Sequence, residues 1–85
     1  MTTPQLTPTF VGLDAQIDAS GNFCVRRIEL DGRWLPVGQG RQWQDDAGHH
    51  IMIMTPDQDT RELILRVGSS RWELKPKRRF GRPIT

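Results

Sequence analysis

The 85-residue chain has a single cysteine, Cys24, no tyrosine and only three alanines. One cysteine excludes a disulfide framework within the chain and suits a reducing, cytoplasmic setting. The scarcity of alanine, with no sustained helical period, points away from an α-helical bundle. No apolar run approaches the roughly 20 residues that a membrane-spanning helix needs. The first nine residues lack the basic start and apolar middle of a signal peptide. They are expected to form a disordered leader over 1–9, kept extended by Pro4 and Pro8. Catalytic signatures are also missing. Gly38-x-Gly40 is too short for a dinucleotide fingerprint, and Ser20, Ser69 and Ser70 fall in turn segments with no base nearby in sequence. The expectation is a non-enzymatic protein with no cofactor and no evident small-molecule substrate.

What the chain does have is a division of charge. Residues 1–74 hold seven arginines and ten acidic residues, a net of −3. Residues 75–85 hold Lys75, Lys77, Arg78, Arg79 and Arg82 and no acid, a net of +5. An acidic body therefore carries a basic arm, and such an arm suits an anionic partner. Pro76, Gly81 and Pro83 argue against a regular helix there, so 76–85 is expected to be a flexible basic tail. Its cations can neutralise phosphates, and Phe80 can stack on an exposed base of DNA or RNA. The competing reading is a solvated tail that aids solubility.

The body, residues 10–75, reads as one all-β domain of six to seven short antiparallel strands in a meander, closed as a small barrel or strongly rolled sheet. Leu13, Ala15 and Ile17 alternate with polar residues, as a half-buried strand requires. A short helix pairing Leu13 with Ile17 is the alternative. Phe23 to Leu30 changes phase at Arg26-Arg27, and a β-bulge there would return Ile28 and Leu30 to the core side. Asp31-Gly32 suits a two-residue hairpin turn. The segment from Trp34 to Val37 contains Pro36, which assigns it to an edge or a bend. Arg41 to Gln44, His49 to Thr55, Glu62 to Val67 and Arg71 to Lys75 complete the series.

Three constellations in the body carry possible chemistry. Arg41 and Trp43 are two apart and share a strand face, so they can form a cation–π pair or a stacking platform for nucleic acid. If that face is closed, Trp43 is core, which a small domain with few large aromatics favours. The strand from His49 to Thr55 is apolar on both faces. With Ile51 and Ile53 turned inward, Met52 and Met54 are left for a homodimer or protein-partner surface. His49 and His50 are adjacent, so their side chains diverge on a strand and cannot readily grip one metal ion. Two hairpins place Arg-Trp soon after their turns, at Arg33-Trp34 and Arg71-Trp72. Alternation points both tryptophans inward and both arginines outward.

The order Gly32-Arg33-Trp34, Trp43, Glu62-Leu63, Trp72-x-Leu74, spanning about residues 25–75, resembles a family of small bacterial β-sheet proteins of unknown function. The resemblance implies an all-β fold. Members of that family sometimes accompany DNA-repair polymerases, which implies a nucleic-acid context. It brings no catalytic residue with it.

Overall fold

A computed structural model describes residues 8–76. These residues form seven strands and no helix: β1 (Thr9–Ile17), β2 (Phe23–Leu30), β3 (Arg33–Pro36), β4 (Gly38–Asp45), β5 (Gly48–Met54), β6 (Thr60–Arg66) and β7 (Trp72–Leu74). All pairings are antiparallel, in a single sheet of order β3-β2-β1-β7-β6-β5-β4. Sequential strands pair as the meander predicts, with one exception. β3 and β4 lie at opposite ends of the order, yet only Val37 separates them in the chain. The sheet therefore curls into a half-barrel, with its two ends brought round to each other by one strand bent at Pro36-Val37. Pro36 has no N–H to leave unpaired at this corner. β1 and β7, near the two ends of the described chain, pair in the middle of the sheet.

Local chemistry explains the elements. Asp31 and Gly32 take φ of 53° and 77°, the positive values that a tight hairpin between Leu30 and Arg33 requires. In β2, Asp14 faces Arg27 but Ala15 faces Val25, so Arg26 is the extra residue of a bulge. The bulge restores the phase: Val25 and Ile28 are both buried. Gly48 has φ of 145°, and a Cβ there would lie 2.0 Å from the Leu65 carbonyl oxygen. Only glycine allows β5 to start this close to β6.

The core is the inner face of the curl. Val25, Ile28, Ile51, Ile53, Leu63 and Leu74 are buried together, with Leu35, Val37 and Trp72 among the side chains packed around them. Each fully buried isoleucine or leucine contributes about 1.5–3 kcal/mol. Trp72 points inward as alternation predicts. Trp34 does not. It lies on the outer face, 43% exposed, with its ring edge over Gly12 and the Arg27 guanidinium 5.1 Å from its centre. The register explains this: Trp34 pairs with Glu29 and Glu29 with Gly12, all on the polar parity of their strands. Leu35 takes the inward place instead.

The ends of the sheet meet through side chains rather than through a strand ladder. β3 pairs only with the Arg27–Leu30 part of β2, so among the described residues the first residues of β2 have no strand on that side. Gln39 and Gln42 of β4 fill the gap. The Val25 N–H donates to Gln39 Oε1 at 2.6 Å and the Phe23 N–H to Gln42 Oε1 at 3.0 Å. Both amide groups donate back to the Phe23 carbonyl, at 2.9 and 2.8 Å. The Val37 N–H adds a bond to the Arg26 carbonyl at 3.0 Å. Two primary amides thus imitate the donors and acceptors of a missing strand.

Candidate functional site

The candidate residues of the body fall on one surface, the outer face of β4, β5 and β6. Trp43 pairs with His50, Gly38 and Thr60 flank Met54, and Glu62 pairs with Met52. Arg41, Trp43, Met52, Met54 and Lys75 all reach this face. Lys77, Arg78, Arg79, Phe80 and Arg82 lie outside the described residues.

One end of the face is apolar. Met54 is 50% exposed and Met52 half-buried. With Ile53, Thr60, Gly38 and Gly40 they line a trough of about 350 Å³. The trough exists because β4 bulges between Gln39 and Gln42 and carries two glycines there, so no side chain roofs the methionines.

The other end is polar and tightly organised. Trp43 is half-buried on the outer face, not in the core. Its ring lies parallel to the His50 imidazole, with an interplanar angle of 2° and centres 4.8 Å apart. The Arg41 guanidinium sits 4.7 Å from the Trp43 ring centre, the cation–π pair that the spacing allows.

His50 is 5% exposed and held between two carboxylates. Nδ1 meets Glu62 Oε2 at 2.5 Å and Nε2 meets Asp45 Oδ1 at 2.8 Å. Against two ionised carboxylates both ring nitrogens donate only as an imidazolium, so the geometry favours the protonated ring. Burial disfavours that charge, but the bonds to Asp45 and Glu62 outweigh it and raise the pKa above 6.5. The same His50 bond, helped by the Ala47 N–H, lowers the Asp45 pKa. Lys75 Nζ adds a cation 3.5 Å from Glu62 Oε2.

His49 points to the opposite face, as the divergence of neighbours requires. It packs edge-on against Phe23 and Trp72 and bonds Gln42 Oε1 through Nε2 at 3.1 Å. Burial, and then the charge of His50, lower its pKa and so favour the neutral ring, in which the bond to Gln42 Oε1 puts the proton on Nε2. The described residues hold no group of three or more His, Cys, Asp or Glu side chains arranged to bind a metal ion.

Sequence reasoning missed the Asp45–His50–Glu62 clamp. The available signal was parity: His50 shares its face with Met52 and Met54. The β5–β6 register then brings Glu62 beside it.

The chain matches no protein-family model, no curated protein and no solved structure. No helix among the described residues is long and apolar enough to cross a membrane.

Proposed function

We propose that this protein is a small, non-enzymatic binding module that docks a protein partner on the outer face of β4–β6. The observation that carries the reading is the methionine trough beside a preorganised polar wall. Met side chains adapt to irregular apolar surfaces. The stacked Arg41, Trp43 and His50 hold their positions before a partner arrives, which reduces the ordering cost of binding. The carboxylates of Asp45 and Glu62 hold His50 in place rather than act on a substrate. The single cysteine is compatible with a cytoplasmic setting.

A photo-crosslinking residue placed at Met54 in the full chain tests this. A discrete protein adduct is expected at Met54, lost on Met52→Asp and absent when the probe sits at exposed Val67. No discrete adduct at Met54 would count against the proposal.

A second reading is contact with DNA or RNA. The Arg41–Trp43 pair favours it, as do the cations from Lys75 onward and the resemblance to small bacterial proteins found beside repair polymerases. Asp45, Asp46 and Glu62 next to that pair oppose phosphate, so the basic segment would have to carry the affinity. Fluorescence anisotropy with labelled oligonucleotides at physiological salt separates the readings. Binding that disappears on deleting residues 75–85 supports nucleic acid, and unchanged background binding removes it.

A further inference from the structure

β7 covers only the first part of β1, pairing with Thr9, Phe10 and Val11. Beyond it, no strand lies beside the edge of β1 among the described residues. Backbone alternation shows which groups face outward there. Asp18 N–H bonds the Asn22 carbonyl across the hairpin, and the main-chain groups of Phe23 and Val25 face β4. Gln16 and Cys24 therefore bond each other, and Leu13, Ala15 and Ile17 turn their N–H and C=O groups to the open side.

Their side chains line a cleft of about 620 Å³ with Phe23, Trp72 and Arg71. Ile17 is 63% exposed at its mouth. Natural edges are blunted by proline, lysine or inward charge. The β3 edge carries Pro36, but Leu13, Ala15 and Ile17 carry none of these devices.

We infer that this edge pairs with the same edge of a second copy of the chain, extending the sheet through an antiparallel β1–β1 seam centred on Ala15. The segment Leu13-Asp14-Ala15-Gln16-Ile17 is self-complementary about its centre, which a two-fold interface demands. Ala15 faces Ala15, and Leu13 faces Ile17 in both directions. All three outward-facing residues then fall at hydrogen-bonded positions, giving three mutually bonded pairs. On the outer side Asp14 faces Gln16, so no like charges meet. The open edge ends at Arg71 on one side and at the Asp18 turn on the other. The seam fills that length and brings the second copy's Asp18 towards Arg71, which has no carboxylate partner among the described residues.

Light scattering on the full chain tests the oligomeric state, and a cysteine tests the register. In a Cys24→Ser background, Ala15→Cys is expected to give a covalent dimer on mild oxidation. Hydrogen-bonded antiparallel partners lie with Cα atoms about 5.5 Å apart, within disulfide range. Gln16→Cys, which faces Asp14, is expected to crosslink far more slowly. Ala15→Pro removes an outward N–H only and is expected to yield a folded monomer by circular dichroism. Should that variant not fold, Ile17→Asp supplies the same test from an exposed position. A wild-type monomer across micromolar to millimolar concentration would overturn the inference. So would a dimer that survives both Ala15→Pro and Ile17→Asp. A monomer with exchange-protected Leu13, Ala15 and Ile17 amides would also overturn it, in favour of an occupant from within the chain.

Discussion

β1 and β2 make one hairpin, and its two outer edges are treated differently. On the β2 side, the strand-free residues Phe23 to Val25 are sealed by Gln39 and Gln42 through four hydrogen bonds of 2.6 to 3.0 Å. On the β1 side, Leu13 to Ile17 face a cleft with no such seal among the described residues. The difference lies in what crosses the edge. β4 runs past β2 at side-chain distance because Val37 tethers it to the corner, so glutamines can reach. β7 starts at Trp72, too late to cover the rest of β1. A backbone edge is thus either satisfied within the chain or left as a binding surface, and this fold does both on one hairpin.

The sharpest way to break the contrast is to unseal the closed edge. Gln39→Ala with Gln42→Ala leaves the Phe23 and Val25 N–H groups and the Phe23 carbonyl without their partners. An unsatisfied, partly buried polar group costs about 1–3 kcal/mol. The double variant is expected to lose about 2–5 kcal/mol in denaturant unfolding, since water reaches some of the freed groups. Loss below about 0.5 kcal/mol, the range of an ordinary surface change, would mean the amides decorate the seam rather than close it.

Proline placed on alternate residues of β1 sharpens the same comparison. Gln16→Pro removes a donor that faces β2, and the Cys24 carbonyl loses its bond. It is expected to cost about 1–3 kcal/mol from that bond alone. Ala15→Pro removes a donor that faces the cleft, where an edge tolerates proline. At dilutions where the chain is monomeric, it is expected to change stability by less than about 0.5 kcal/mol. Equal costs for the two would show that the edge of β1 is not open.

Much of this architecture was legible in the residues. The antiparallel meander of six to seven strands and the bulge at Arg26 follow from period-2 alternation and one break in its phase, and the Asp31-Gly32 turn from the positive φ that pair accepts. The pairing of β1 with β7 was not legible, because periodicity states which face is buried and not which strand lies alongside. Trp34 escaped for a related reason. Its hydrophobicity argued for the core, but Leu35 held the inward parity and Gly12 left a floor for an indole outside. Gln39 and Gln42 read as polar strand residues until the curl placed them against an unpaired backbone. On the outer face, parity put Arg41 with Trp43 and Met52 with Met54, but the preference for Trp43 in the core failed because His50 gives its ring a stacking partner outside. The clamp on His50 needed two strand registers at once.

The two histidines carry the comparison between seam and outer face into solution. His49 is tied to the seam through Gln42, and His50 belongs to the outer face. Their pKa values move in opposite directions from 6.5. For His50 the folded state holds its proton more tightly than the unfolded chain. Its contribution is complete below about pH 6.5 and is lost as pH rises through the raised value. For His49 the folded state holds the proton less tightly. Stability is complete above about pH 6.5 and falls as pH drops towards the lowered value, because the unfolded chain takes up the proton first. In the parent chain the two slopes lie on either side of about pH 6.5 and leave a stability maximum between them. His49→Gln is therefore expected to show stability falling with rising pH above about 6.5. His50→Gln is expected to show the reverse slope below that point, with stability falling as the solution is acidified. Denaturant midpoints measured across this range decide the matter, since a common offset from lost packing leaves the slopes untouched. Slopes of the same sign would mean that His50 is not an imidazolium, and that Asp45 and Glu62 do not both accept from its ring.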